Sequence, residues 1–517
     1  MKLNLQDYRD KVLGCWMGKN IGGTLGAPME WRRQVNAVSF YTQDLKGEPL
    51  PNDDLDIQLL WLVALEEKGI DLDARRLAEY WCLYVTPHWS EYGTAKINLR
   101  SGLPPPLSGT SENLFKDSCG AFIRSEIWAC VCPGNPHHAA RYAYEDAILD
   151  HGNGEGTYAE VFCAALEAAA FVETNLHTLI DIGLSFIPAG CGVAQAVRCA
   201  VECHRERKGW LEARDEVLRH YRGSTFFNIP ACTSEADRKK GFDQGQLGWD
   251  VPSNIGMLVI GLLYGGGDFA KSICIAVNCG EDTDCTGATV GSIFGIMHGI
   301  KAIPEQWITP IGRKIKTACL NLGELGYFGN QLPQDVDEMT RRTEVIARQV
   351  ALRYTPQLEL VEGQPTDLTG LDPAKLFATS EGRYLEELYF CLNGPVYTFD
   401  FFRIAVDYGP DGATVRKGEA KTVKLKVWNR YKVQTELHFK WYAEAGWEIG
   451  PQAAGRTLNV GFHLGRGINE LTFTLKAAPV PAAVNRLVVE FTSPGRPLVM
   501  LVPVVLRDGN LADTPLG

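Results

Sequence analysis

The chain has 517 residues, of which 45% are hydrophobic and 22% are charged, a composition typical of a soluble globular protein with more than one domain. Its formal net charge of −11, from 51 basic and 62 acidic residues, argues against a nucleic-acid-binding surface. Its apolar stretches are too short to span a bilayer, and its N-terminal segment is charged, so we expect neither a membrane span nor a signal peptide.

The fifteen cysteines are odd in number and irregular in spacing, which does not suit a disulfide framework. Several of them, including Cys163, Cys199 and Cys203, fall within apolar helical patterns. We therefore expect buried free thiols and a cytoplasmic location.

Helical periodicity dominates the first two thirds of the chain. An apolar run from Ile57 to Leu65 ends just before Gly69, and an alanine-rich helical pattern covers Tyr158 to Phe171. Little of this region alternates with a period of two. We predict an all-α domain over residues 1–355.

The pattern changes after Tyr354. Prolines and glycines crowd the next twenty residues, so we assign residues 356–395 to a linker with a short helix. From about residue 396 apolar and polar residues alternate, as in Val423 to Val427. This alternation predicts a β-sandwich of immunoglobulin or fibronectin type over residues 396–517. The predicted fold class is thus multidomain, with an all-α domain followed by a small all-β sandwich.

Glycines at every fourth position mark the first helix. Gly14, Gly18, Gly22 and Gly26 form one smooth stripe, against which another backbone can pack closely. Glu30 follows the end of this helix, in a loop from which a carboxylate can reach a site.

Two clusters of acids stand at the heads of apolar or small-residue helices. The first is Asn52 to Asp56, in which three of four consecutive residues are acidic, and the second is Asp282-Thr283-Asp284. Acids at such positions can cap a helix, or they can supply the oxygen ligands that Mg²⁺, Mn²⁺ and Ca²⁺ prefer. Crowded buried carboxylates need positive charge between them, so the two clusters together favour one hard-metal site.

The glycine helix, the Asp-Asp pair and the late Gly-Glu-Asp-Thr-Asp segment, in this order, resemble the ADP-ribosylglycohydrolase family over roughly residues 8–350. The resemblance implies an all-α fold with two Mg²⁺ ions, or Mn²⁺ ions, in a central cleft. It implies catalytic roles for Glu30 and Asp54. The metal ligands that it implies are Asn52, Asp53, Asp54, Asp282, Asp284 and Cys285. Asn52 and Cys285 stand where the family usually has Thr or Ser.

Substrate contacts follow from the same resemblance. Ser118, Cys119, Gly120 and Ala121 resemble the loop that holds the phosphates of the substrate through backbone N–H groups, although the usual Gly-Asn-Gly form is absent. His151 resembles a histidine on the substrate side of the cleft.

The function that the resemblance implies is a Mg²⁺-dependent hydrolase of an N- or O-glycosidic bond to ADP-ribose or a related ribosyl group. Its partners would be small-molecule, ADP-ribosylated or glycosylated substrates, with neither nucleic acid nor membrane. Two alternatives stay open. One is a glycoside hydrolase for another furanosyl sugar or a nucleoside, for which the aromatic residues between Trp81 and Tyr92 could stack on the sugar. The other is a non-catalytic ligand-binding or structural member, because the family includes a crystallin.

Overall fold

The chain forms two compact units, one made of Met1–Gly93 and Leu114–Leu385 and the other of Thr94–Asn113 and Glu386–Gly517. The first is helical and the second is rich in β-structure, which confirms the predicted fold class. The computed structural model describes residues 1–223, 232–242, 251–320, 326–379, 382–389, 391–430, 433–459, 467–477 and 482–509.

Helices account for most of the first unit. None of those in the described ranges combines the length and the apolar character that crossing a membrane requires. In chain order the helices are α1 Leu5–Gly26, α2 Asp53–Lys68, α3 Ala74–Tyr84, α4 Ser90–Arg100, α5 Leu107–Thr110, α6 Ser125–Val131, α7 Pro136–Ala147, α8 Glu155–Ala169, α9 Leu176–Ser185, α10 Gly192–Arg205, α11 Trp210–Tyr221, α12 Glu235–Lys239, α13 Val251–Gly265, α14 Phe269–Asn278, α15 Thr283–His298, α16 Glu305–Ile308, α17 Val336–Tyr354 and α18 Tyr384–Leu388.

Helices α1 and α15 pack against each other in antiparallel orientation through their glycines. A Cβ atom on Gly18 would lie 2.0 Å from the carbonyl oxygen of Gly291, and one on Gly22 would lie 2.0 Å from that of Gly287. Such distances leave no room for any side chain, so the close approach that the glycine spacing predicts is confirmed. The packing places the C-terminal end of α1, at Gly26, beside the N-terminal end of α15.

The head of α2 is fixed to the same helix. The Oδ1 atom of Asn52 accepts a hydrogen bond of 2.7 Å from the N–H group of Asp54 and so caps α2. The amide nitrogen of Asn52 packs against Gly23 of α1, where a Cβ atom would lie 2.1 Å away. Both acid clusters are therefore held against one glycine-rich helix.

A short parallel sheet ties the residues after α17 to the start of the chain. Strand β1, Lys2–Asn4, pairs with strand β2, Glu359–Val361. The side chains of Leu358, Val361 and Leu376 are buried. This part of the segment that the sequence marks as a linker thus packs within the helical unit.

The β unit is a sandwich of two five-stranded sheets, with strand orders β3-β4-β6-β10-β8 and β5-β12-β11-β7-β9 in the described residues. Alternate residues of both sheets form its core, and Leu103 and Leu107 of the Thr94–Asn113 segment belong to that core. No periodicity in the sequence marks this segment as part of the β unit. The strands are β3 Val396–Thr398, β4 Phe402–Asp407, β5 Thr414–Val415, β6 Ala420–Asn429, β7 Thr435–Tyr442, β8 Glu448–Gly450, β9 Ala454–Asn459, β10 Ile468–Lys476, β11 Val484–Thr492 and β12 Val499–Asp508.

All fifteen cysteines carry free thiols, and most of them are buried. This agrees with the prediction from their spacing.

Candidate functional site

A cavity of about 360 Å³ opens in the helical unit between the two acid clusters. This volume lies near the lower end of the roughly 300–1,000 Å³ that is usual for ligand pockets. The lining residues are Ala27, Glu30, Trp31, Pro51, Asn52, Asp53, Trp89, Ser90, Glu91, Tyr92, Phe115, Ser118, Cys119, Gly120, Ile123, Asp282, Asp284, Cys285 and Ala318.

Two groups of three ligand atoms lie at this cavity. Asp54, Asp284 and Cys285 form one trio, and Glu30, Asp282 and Asp284 form the other. Within each trio the ligand atoms lie within 4.8 Å of one another. Because Asp284 belongs to both, the two trios are adjacent to each other.

Helix capping explains Asn52 but not the acids. Asp282 occupies the N-cap position of α15, yet its side chain makes no capping hydrogen bond. Both carboxylate oxygens of Asp54, and the Oδ1 atoms of Asp282 and Asp284, are buried without a hydrogen-bond partner. The Oδ1 atom of Asp54 does form an ion pair with Lys19, at 3.4 Å. Buried acceptors without a partner are rare in folded proteins, so the other oxygens need a donor or a cation.

The pKa shifts of the acids in the trios also indicate a need for positive charge. Burial raises the pKa of Glu30 to about 9, with a further contribution from Asp282, Asp53 and Asp54. Burial also raises the pKa of Asp284 well above its usual value, and the charges of Glu30 and Asp282 add to the shift. These carboxylates cannot all be ionised side by side unless a cation lies among them.

The remaining predicted ligands flank the trios. Asp53 lines the cavity and accepts a hydrogen bond of 3.4 Å from the hydroxyl group of Tyr92. Asn52 also lines the cavity, and its Oδ1 atom is engaged in capping α2. Neither residue has a ligand atom in the trios described above, which contain only acids and a thiol.

Glu281 fixes the position of the backbone segment that leads into Asp282. Its φ angle of 71° lies in the left-handed region, which is uncommon for a residue other than glycine. The carboxylate of Glu281 binds the guanidinium groups of Arg222 and Arg33. Burial opposes its ionisation, but Arg222 and Arg33 more than offset this and hold the pKa of Glu281 below its usual value. The carbonyl oxygen of Glu281 accepts a hydrogen bond of 3.1 Å from the N–H group of Trp31, which fixes the neighbour of Glu30.

A buried cation lies behind Asp54. The Nζ atom of Lys19 is 3.4 Å from Asp54 Oδ1 and 2.7 Å from Glu126 Oε1, and it also donates to Thr289. Burial lowers the pKa of Lys19, but the attraction of Glu126 and Asp54 outweighs it and keeps Lys19 charged. Burial raises the pKa of Asp54 to about 7, although Lys19 opposes the shift.

The predicted substrate loop forms another part of the wall. Ser118, Cys119 and Gly120 line the cavity, whereas Ala121 and His151 are fully buried. The Nε2 atom of His151 lies 3.2 Å from Ser118 Oγ, and its Nδ1 atom lies 2.9 Å from Asp150 Oδ1. His151 therefore contacts a residue of the cavity wall, Ser118, and does not itself line the cavity.

Sequence reasoning did not assign Glu91, Lys19 or Glu126 to the site. Glu91 lines the cavity and accepts a hydrogen bond from Ser118. The sequence marks the stretch around Glu91 only by its aromatic residues, which could stack on a sugar. Two of these residues, Trp89 and Tyr92, line the cavity. Lys19 and Glu126 carried no local signal, because their pairing joins residues 107 positions apart.

The residues present fit a divalent cation. Carboxylate oxygens without partners suit hard cations such as Mg²⁺ and Mn²⁺, and Lys19 neutralises only part of the charge. Cys285 is a softer donor, which suits softer transition metals better than the hard cations Mg²⁺ and Mn²⁺ at its trio.

Comparisons with known proteins place this site in context. The family model described as ADP-ribosylglycohydrolase matches residues 4–341. An uncharacterized protein from Archaeoglobus fulgidus is 25% identical over 314 residues, which cover 58% of this chain and 90% of that protein. A solved structure described as an ADP-ribosylglycohydrolase-related protein complex covers 66% of this chain and 100% of its own at 20% identity, with a TM-score of 0.43. A FixG-related protein from Vibrio parahaemolyticus covers 21% of this chain and 94% of its own at 12% identity, with a TM-score of 0.16. The family match spans more than half of the chain.

Proposed function

The chain belongs to the ADP-ribosylglycohydrolase family, and from this premise we propose that it is a divalent-cation-dependent glycohydrolase that cleaves an N- or O-glycosidic bond to a ribosyl group. Family membership supports a glycohydrolase of this type. The cation dependence and the ribosyl substrate, either ADP-ribose or a related glycoside, are the proposed part.

One observation carries the proposal. Two trios of ligand atoms share Asp284 at the wall of one cavity, and several of their buried oxygens have no hydrogen-bond partner. A protein stabilised only by packing gains nothing from such an arrangement, because each buried charge without a partner is destabilising.

Each residue has a role in this proposal. Asp54, Asp284 and Cys285 would hold one cation and Glu30, Asp282 and Asp284 the other, with Asn52 and Asp53 beside them. Bound divalent cations supply binding of the ribose hydroxyls and activation of a water molecule. Lys19, whose ammonium group also donates to Thr289, would orient the carboxylates of Asp54 and Glu126 from behind.

The acids of the cavity also suit the charge that develops during the reaction. As a glycosidic bond breaks, positive charge builds up at the anomeric carbon, and carboxylates facing it stabilise that state. Glu30 and Asp54 would act as the catalytic carboxylates. Glu30 lines the cavity, and a carboxylate oxygen of Asp54 lies within 4.8 Å of the ligand atoms of Asp284 and Cys285, which line it. Either carboxylate can accept the proton of the attacking water or return one to the leaving group.

The test is an assay of ribose-group release from ADP-ribosylated peptides and from simple N- and O-ribosides. The protein is treated with a chelator and then given Mg²⁺ or Mn²⁺. We expect turnover to appear only with the cation and to fall by a factor of roughly 100 or more in Asp54→Asn and Asp284→Asn.

The exposed Asp44 on the same unit provides the matched control, and Asp44→Asn should keep wild-type turnover. Turnover without any cation, or full turnover in Asp54→Asn and Asp284→Asn, would refute the proposed site. Cation binding without turnover on any riboside would favour a non-catalytic ligand-binding member instead.

A further inference from the structure

Glu91 covers the part of the cavity wall that the sequence assigns to phosphate binding. A Cβ atom on Gly120 would lie 2.1 Å from Glu91 Oε1, so the carboxylate lies directly on the backbone of Gly120. Glu91 is 6% exposed and accepts a hydrogen bond from the Ser118 hydroxyl group. An anion that approached the backbone N–H groups of this loop would meet a carboxylate already in place.

The part of the cavity wall that the structure describes offers no lysine or arginine side chain to offset that repulsion. Among the described residues that line it, five are acidic and none is Lys or Arg. Lys19, behind the wall, contacts Asp54 and Glu126. Arg124 donates a hydrogen bond of 2.8 Å to the carbonyl oxygen of Gly120, but its charge is neutralised by ion pairs with two buried carboxylates. Divalent cations at the two trios would balance acids there, but Glu91 belongs to neither trio.

The same wall is well suited to a sugar. Trp31 and Trp89 are 44% and 51% exposed, and both line the cavity together with Tyr92 and Phe115. Aromatic faces pack against the apolar face of a sugar ring, and a carboxylate such as Glu91 accepts hydrogen bonds from sugar hydroxyl groups. The cavity volume of about 360 Å³ suits a small glycoside.

We propose that the natural substrate is a glycoside without phosphate, and that Glu91 selects it by accepting hydrogen bonds from its hydroxyl groups and by repelling a phosphate at Gly120. This inference rests on the proposed function, because it names the substrate class of the same site. Glu91 is then a specificity-determining residue, whose side chain contacts the substrate on the wall formed by Ser118 and Gly120.

The test compares the binding of D-ribose, D-ribose 5-phosphate and ADP-ribose to the Mg²⁺-loaded protein. None of these has a glycosidic bond at the anomeric carbon of the reacting ribose, so binding is read without turnover. Calorimetry at about pH 8.5 keeps Glu91 ionised, because burial raises the pKa of this residue to about 7. These binding constants can be measured even if the protein releases no ribose in the activity assay, so failure of the proposed function and failure of this inference can be told apart.

We expect the wild-type protein to bind D-ribose at least as tightly as D-ribose 5-phosphate and ADP-ribose. In Glu91→Gln we expect the affinity for the two phosphorylated ligands to rise about tenfold, and that for D-ribose to fall. Glu79→Gln, an exposed position on α3, is the matched control and should change none of the three.

Preference of the wild-type protein for ADP-ribose over D-ribose would overturn the inference. So would a Glu91→Gln variant with an unchanged or weakened affinity for the phosphorylated ligands. The wild-type comparison does not depend on a variant, so it decides the question even if Glu91→Gln fails to fold.

Discussion

Replacement of Lys19 by methionine tests the electrostatic design of the site directly. Methionine keeps most of the length of the side chain but removes its charge. The ammonium group of Lys19 is fully buried and lies 2.7 Å from Glu126 and 3.4 Å from Asp54. Its removal leaves two buried carboxylates without their common cation.

The magnitude follows from these distances. At an effective dielectric constant of about 20, the two attractions are worth about 6 and about 5 kcal/mol. Most of this offsets the desolvation of the ammonium group. Breaking a buried ion pair on one side usually lowers the free energy of unfolding by about 3–5 kcal/mol. We expect Lys19→Met to fall within this range in the absence of divalent cations.

Divalent cations should act in the opposite direction. Without Lys19, Asp54 has no competing cation nearby, so an ion at the trio of Asp54, Asp284 and Cys285 is bound more tightly. Stabilisation by a ligand grows with its affinity for the folded state. Mg²⁺ or Mn²⁺ should therefore stabilise Lys19→Met more than it stabilises the wild-type protein.

Urea denaturation with chelator and with saturating Mn²⁺ measures both effects. The control is Lys239→Met. In the wild-type protein Lys239 pairs with Glu235 at the surface, where the lysine side chain is 74% exposed. Its replacement should change the free energy of unfolding by no more than about 0.5 kcal/mol. A loss below about 1 kcal/mol for Lys19→Met, or a response to Mn²⁺ no larger than that of the wild type, would refute the reasoning.

Three further predictions concern packing, metal choice and pH. Gly18→Ala places a methyl group 2.0 Å from a facing carbonyl oxygen on α15. Thermal melts should show that it lowers the free energy of unfolding by at least about 3 kcal/mol. Gly190 has open space around it, so Gly190→Ala should cause no such loss. Co²⁺ bound to the protein should show sulfur-to-metal charge-transfer absorption that Cys285→Thr abolishes, and equal spectra would exclude the thiol as a ligand. Burial disfavours the ionised form of the Asp150 carboxyl group, but the attraction of Arg124 is larger and lowers the pKa of Asp150 to about 2. Because this folded-state pKa is below the usual 3.8, the carboxylate contributes about 2 kcal/mol above about pH 4 that is lost as pH falls toward 2. Acid titration of stability should show this loss in the wild type but not in Asp150→Asn, and parallel curves would contradict it.

Local patterns in the sequence sufficed to predict several features of the fold. The four-residue spacing of Gly14 to Gly26 predicts a close helix contact, and the structure has one with α15. Asp53 at the head of α2 and Asp282 and Asp284 at the head of α15 line one cavity, whereas the metal site that the sequence predicts there stays a prediction. The alternation from Val423 to Val427 predicts a strand, and β6 covers it with the three apolar residues buried. Each of these signals lies within a short stretch of sequence and can be interpreted without knowing which distant residues pack against it.

Features that depend on distant partners could not be predicted. Glu91 reads as an ordinary acid within an aromatic stretch, and only the fold lays its carboxylate on Gly120. Lys19 reads as one charge in a glycine-rich helix, and only the packing of α1 against α15 and α6 buries it beside Glu126. The Thr94–Asn113 segment joins the β unit across more than 270 residues of sequence, through Leu103 and Leu107. Burial and pairing of this kind arise from the whole fold.

The acid clusters lie where the backbone itself helps to hold negative charge. Asp53 and Asp54 occupy the first turn of α2, and Asp282 and Asp284 flank the start of α15. The positive end of a helix dipole stabilises a carboxylate by about 0.3–1 kcal/mol, and Lys19 adds a full charge behind Asp54. These contributions offset part of the repulsion among the acids without saturating their oxygens. The glycine contacts between α1 and α15 involve backbone atoms and not the side chains of the acids, so the scaffold can form before any cation is bound. In the proposed function, a cation would therefore enter a site whose ligands are already in place, and its binding energy would be available for holding and orienting the substrate.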